Sequence, residues 1–122
     1  MPALIRENQS TRIKAKLFRG FADPSRLSII EALREGKKSV GELAELTSLS
    51  QPNVSNHLRC LTDCDLVQNE RDGRYIYYRL SDARIDQILL LSEQLLSEVA
   101  RGVFECTRYD INDEKAESLW NN

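Results

Sequence analysis

A mainly α-helical fold with one β-hairpin, laid out as a winged helix-turn-helix, is what this sequence predicts. Three observations carry that prediction. Two short helical segments, residues 39–46 and 51–64, are separated by the tight turn Thr47-Ser48-Leu49. The dipeptide Asp72-Gly73 then stands between two β-rich runs, a hairpin signal. Finally, residues 81–102 carry an apolar stripe of helical period that is wider than a small winged domain can cover.

Each element follows from its own local chemistry. Residues 1–9 lack periodicity and are expected to form a flexible N-terminus. Residues 10–22 place Ile13, Leu17 and Phe21 four apart, with Lys14, Lys16 and Arg19 off that stripe. Asp23-Pro24 then punctuates, Asp as N-cap and Pro at the first helical position. The second helix runs to about Glu35 with Leu27, Ile30 and Leu33 inward, and Gly36 closes it. Ser39-Val-Gly-Glu42 reads as a capping box. Ser50 caps the helix from Gln51, where Pro52 is tolerated because first-turn amides have no intrahelical partner. The strands are expected over residues 66–71 and 75–80, forming a wing. The long helix carries Ile85, Ile88, Leu89, Leu91, Leu95, Leu96, Val99 and Val103 as its apolar positions. A homodimer joined through the first and last helices is the natural use of that surplus.

Composition bounds the function. At 122 residues the chain is one domain, residues 10–104, followed by a tail over residues 105–122. Apolar residues make up 41% and charged residues 30%, as in a globular protein. No stretch approaches the ~18 apolar residues of a membrane span, and charges interrupt the first residues where a leader needs an apolar run. These features predict a cytosolic protein with no membrane partner. Net charge is −2, yet residues 1–38 hold nine Lys/Arg against four Asp/Glu, and residues 81–122 hold four against nine. The acidity is loaded onto the last third, leaving the front less negative than the total suggests; local patches can still bind phosphate, and overall charge decides nothing. One histidine, no Gly-rich phosphate loop and no catalytic dyad argue against an enzyme or a small-molecule substrate.

On a wheel of ~100° per residue, Val54, Leu58 and Leu61 cluster within ~40° of one direction, the core side. Ser55, Asn56 and Arg59 lie opposite, and Gln51 and Asn53 sit at the leading end. Amide, hydroxyl and guanidinium groups match base edges and phosphates, so this face predicts contact with double-stranded DNA. Arg74 follows the hairpin tip and is the best wing contact. Lys38, Ser50, His57 and Arg71 are secondary candidates, and Lys37 adds a charge beside Lys38.

Three cysteines in a chain without an export signal point away from a disulfide framework and toward metal or redox chemistry. Cys60 and Cys64 are spaced i, i+4, so their β-carbons stand ~5–6 Å apart on one helical face. They lie ~100° from the core direction, on the flank of the helix. Zinc or cadmium takes three or four ligands, so two thiolates leave a site incomplete. Cys106 is the remaining cysteine and the expected third ligand, from the same subunit or its partner. His57, three residues before Cys60, could add a fourth, although a scaffold or DNA-contacting role suits it better. Thiol-redox or persulfide sensing, and inert thiols, are the alternatives to metal.

Over nearly its whole length the chain resembles the ArsR/SmtB family of dimeric winged-helix metal-responsive repressors. The matching text is Phe21-Ala-Asp-Pro-Ser-Arg-Leu27, the helix pair from Ser39 to Leu66, and Arg71-Asp-Gly-Arg-Tyr-Ile-Tyr-Tyr-Arg-Leu80. The segment Asn53 to Val67 is similar to the CmtR-type cadmium/lead sensors, whose Cys-x3-Cys lies on the recognition helix. The resemblance implies that a third cysteine from the C-terminal region of the other subunit completes the site, a role Cys106 fits. It also implies that the position of His57 is often histidine without any metal. The Cys-x-Cys arsenic-type site of the founding branch is missing from the helix after Ser39. The long helix has no histidine for the zinc site of the SmtB branch. The implied function is a homodimeric repressor that leaves operator DNA on binding Cd(II) or Pb(II), with Zn(II) or Hg(II) as further candidates. The regulated genes expected from family habit are efflux or resistance genes.

Overall fold

The computed structural model describes residues 7–106, with five helices and a three-stranded sheet among them. The order is α1 (Glu7–Ala22), α2 (Pro24–Leu33), β1 (Lys38–Ser39), α3 (Val40–Thr47), α4 (Gln51–Asp63), β2 (Val67–Asp72), β3 (Tyr75–Leu80) and α5 (Ala83–Glu105). The chain divides into two compact units, one through Asp82 and the other from Ala83. The expected tail beyond Cys106 and residues 1–6 of the expected flexible terminus lie outside the described residues. Helix α1 already begins at Glu7, ahead of the predicted start at residue 10.

Side-chain chemistry sets each boundary in the first unit. Asp23 caps α2 by accepting the Arg26 N–H at 2.9 Å on Oδ2. The Arg26 guanidinium turns back and donates to the carbonyls of Arg19 at 2.8 Å and Gly20 at 3.3 Å. One arginine thus satisfies two of the orphan carbonyls at the end of α1 and fixes the angle between α1 and α2. The capping box at α3 is present in both directions: Ser39 Oγ accepts the Glu42 N–H at 3.2 Å, and Glu42 Oε1 accepts the Ser39 N–H at 3.1 Å. Ser48 ends α3 at φ 60, and Ser50 Oγ accepts the Asn53 N–H at 3.3 Å to open α4.

The core is shared by α2, α3, α4 and the start of β2. Ile29, Ile30, Leu43, Val54, Leu58, Leu61 and Val67 are all under 2% exposed. Removing each such side chain from water contributes about 1.5–3 kcal/mol. The predicted α4 core triad of Val54, Leu58 and Leu61 is buried as expected. In α2 the buried set is Ile29, Ile30 and Leu33, while Leu27 is only half-buried. Helix α3 packs on both α2 and α4, so the helix-turn-helix pair rides on α2 as one body.

The hairpin forms in the register Val67↔Leu80 through Asp72↔Tyr75. Its turn is shifted by one residue from the sequence expectation. Asp72 is the last residue of β2, and Gly73-Arg74 make the turn, with Gly73 at φ 62 where an L side chain would be crowded. The short β1 was not foreseen; Lys38 and Ser39 add a third, antiparallel strand beside β3, in the order β1-β3-β2. Two residues carry too little pattern for period-2 alternation to reveal them.

Candidate functional site

Helix α4 carries two different surfaces on one cylinder. Gln51, Asn53, Ser55, Asn56 and Arg59 are all exposed, the last three on the side away from the buried triad and the first two at the leading end. The Ser50 hydroxyl is engaged in capping, so its first task is to start the helix rather than to reach outward. His57 is half-buried on the flank, one turn before Cys60.

The wing presents Arg71 and Arg74 to solvent, with Arg74 in the turn itself. The two lysines before α3 are less free than the sequence suggests. Lys37 pairs with Glu70 at 3.5 Å and stands 4.9 Å from the centre of the Tyr77 ring. It therefore braces the sheet, because Glu70 and Tyr77 are cross-strand partners. Lys38 lies in β1 opposite Tyr78 and is half-buried.

Cys60 and Cys64 are free thiols, both exposed, at the last turn of α4. Cys64 is the C-cap residue, and its N–H donates to the Cys60 carbonyl at 3.1 Å. Partial desolvation pushes the Cys64 thiol above its usual range. The neighbouring Cys60, by charge and by a thiol hydrogen bond, and Asp63 push the same way, while Lys16 of α1 pulls the other way. The two thiols stand one helical turn apart on the same flank of α4, the spacing from which a single soft ion can take both. Metal binding here displaces a proton, since a thiolate is the ligand form. Cys106 is a half-buried free thiol just past α5, in the second unit. Among the described residues of one chain, no group of three or more His, Cys, Asp or Glu side chains stands ready to hold a metal ion.

An amide-rich exposed helix face and an arginine-tipped wing, carried on a helix-turn-helix core, have the chemistry that reading DNA requires. The profile of bacterial regulatory proteins of the arsR family matches residues 23–69, from the α2 cap to the middle of β2. The probable mercury resistance operon repressor of Streptomyces lividans is 37% identical over 94 residues, 77% of this chain and 75% of that protein. The chain belongs to the ArsR family. Another relative, the HTH-type transcriptional regulator CmtR of Mycobacterium tuberculosis, is 43% identical over 75 residues. That match spans 62% of this chain and 64% of the relative, just under two thirds of it. Among solved structures, the crystal structure of M. tuberculosis Rv0081 superposes with a TM-score of 0.71 at 30% identity, covering 77% of this chain and 95% of that one.

As an ArsR-family member the chain is a DNA-binding transcriptional regulator and not an enzyme. Among the described residues, no helix is long and apolar enough to cross a membrane. Sequence reading missed the part that α1 plays beside the thiols. A Cβ on Gly20 would meet Leu66 Cδ1 at 3.1 Å, so the Gly20 face of α1 lies against the residue two past Cys64. A glycine in the last turn of an otherwise periodic helix was the available signal for that close approach.

Proposed function

We propose that this ArsR-family regulator is a homodimeric repressor that holds operator DNA when metal-free and leaves it on binding a thiophilic ion. The observation that carries the reading is the pair of exposed free thiols of Cys60 and Cys64, one turn apart at the end of the helix read as meeting DNA. Cys60, Cys64 and Cys106 would hold the ion, which supplies a cross-link between sulfurs that thiols alone do not make. Sulfur ligands select soft ions, so Cd(II) and Pb(II) are the proposed effectors, with Hg(II) and Zn(II) behind them. A named role in mercury resistance for the Streptomyces relative supports a soft ion. In each copy Gln51, Asn53, Ser55, Asn56 and Arg59 read a major groove, with Arg74 on the adjacent backbone or minor groove. Arg71, Lys38 and His57 are supporting contacts, and Ser50 holds the start of the helix that makes them.

The test is operator binding with and without Cd(II). Cys60→Ser and Cys64→Ser should each bind operator as the wild type does and lose cadmium-induced release, which typically amounts to ~5–150-fold in affinity. Cys106→Ser should weaken metal binding and blunt release. Normal dissociation of the Cys60→Ser or Cys64→Ser variant on adding cadmium would show that the sensor lies elsewhere. Release by peroxide or polysulfide, and not by metal, would favour thiol-redox sensing on the same fold.

A further inference from the structure

The turn that follows Cys64 is the most constrained backbone near the thiol pair. Asp65 sits at φ 61, the left-handed region where a β-carbon crowds the following carbonyl. Glycine ordinarily fills this position at a helix end. Local hydrogen bonds close the turn: the Asp65 N–H donates to Thr62 O at 3.0 Å, and the Leu66 N–H to Leu61 O at 3.0 Å. A second pair comes from far along the chain. The Ser81 hydroxyl donates to Asp65 O at 2.6 Å, and the Ser81 N–H donates to Leu66 O at 3.0 Å. Ser81 is the first residue after β3, one step beyond the Val67↔Leu80 rung that opens the hairpin. One serine therefore clamps the two residues after Cys64 to the base of the wing.

We propose that Ser81 is a positioning residue that transmits the state of the Cys60–Cys64 thiols to the wing, with the left-handed Asp65 as the hinge. The inference rests on reading those thiols as metal ligands. Cys64 is both the C-cap of α4 and a thiol donor, so drawing its sulfur toward a shared ion turns the backbone that leads into Asp65. A non-glycine residue stays in the left-handed region only while its surroundings hold it there, here through the four hydrogen bonds of this turn, so Asp65 is the point that gives when Cys64 turns. Through the two Ser81 hydrogen bonds that exit shifts the feet of β2 and β3 together, and with them Arg74 at the tip. Without the hydroxyl the tie to Asp65 is lost and only the Ser81 N–H bond to Leu66 O remains, so less of the turn at the cap reaches β3 and the tip. A discrete hinge held by a few hydrogen bonds, rather than gradual deformation, is how such switches are commonly built.

The test uses the full chain, operator DNA and Cd(II). The readouts are metal-free operator affinity, cadmium affinity and the ratio of operator dissociation constants with and without cadmium. Ser81→Ala should keep the first two and bring the ratio from the wild-type ~5–150-fold toward one. In metal-free Ser81→Ala the amide at position 81 should also exchange with solvent faster, because one of the two bonds of the clamp is gone. Ser81→Thr retains the hydroxyl and should restore the ratio. Asp65→Gly is a second, independent variant: glycine holds the left-handed turn without cost, so the hinge loses its reason to move and the ratio falls. A wild-type ratio in both Ser81→Ala and Asp65→Gly overturns the proposal. So does a loss of metal-free operator affinity equal to the loss of release, which would mark Ser81 as merely structural. Undiminished cadmium release by Cys60→Ser would overturn the thiol reading itself, and this relay with it.

Discussion

Glu42 shows how much one side chain can organise. Its carboxylate is held below the ordinary value of 4.5, first by the Ser39 backbone N–H, then by the Ser39 hydroxyl, with Lys38 nearby adding to both and partial desolvation opposing them. A carboxylate whose pKa is depressed in the folded state stabilises the fold above its unfolded pKa. That contribution is lost as the pH falls through the folded value. The urea midpoint of the wild type should therefore exceed that of Glu42→Gln at neutral pH, and the gap should close as the pH falls below the ordinary 4.5 and through the depressed folded value. A constant gap across that range would mean the capping box stabilises α3 by shape rather than by charge. Cys64 is the opposite case at the same scale, since its raised pKa keeps the thiol protonated at neutral pH until a ligand displaces the proton.

At the scale of elements, contact with DNA is divided in the proposed reading between α4 and the wing. Asn56 is exposed on the face opposite the core, where an amide can pair with a base edge. Arg74 is exposed in the hairpin turn, where a guanidinium meets phosphate or the minor groove. Arg74→Ala should weaken binding to all sequences alike and reduce the slope of log affinity against log salt by about one. Asn56→Ala should instead leave the slope alone and relax sequence preference at one position, by about 1–3 kcal/mol. Competition binding over a salt series separates the two, and equal slopes for wild type and Arg74→Ala would remove the wing from the interface. These elements were legible in the sequence because each had a local cause: caps at Asp23, Ser39 and Ser50, a 3.6-residue stripe in α4, and a glycine at the hairpin. The Ser81 clamp spans 16 positions, and no local rule links a serine after a strand to an aspartate after a helix. Lys37 was readable as a charge but not as a brace, because its partners Glu70 and Tyr77 come together only once the hairpin register is set. The turn itself was misplaced by one residue, since Asp-Gly and Gly-Arg offer the same glycine to two adjacent registers.

At the scale of the whole molecule, α5 presents a problem that one chain leaves open. Ile85 and Leu89 are buried, but Leu91, Leu95, Val99 and Val103 form an exposed i, i+4 row, with Leu90, Leu96 and Phe104 exposed beside it. In α1, Ile13, Leu17 and Phe18 are likewise exposed, and of the predicted α1 stripe only Phe21 is buried. Apolar rows of this length are unfavourable in water and mark surfaces made to be covered. A second copy is the occupant that also suits the DNA, because two recognition helices about one helical turn apart need a two-fold pair. The double variant Leu95→Glu, Val99→Glu should then be monomeric by sedimentation. Its operator affinity should fall by about 100-fold or more, since each half-site loses the local concentration that its tether supplied. The helices and wing of the first unit carry their own core of buried residues, so far-ultraviolet dichroism should show them retained. If the charged variant stays dimeric and grips its operator unchanged, the α5 row is not the interface, and the coupling of two reading heads must run through α1 alone.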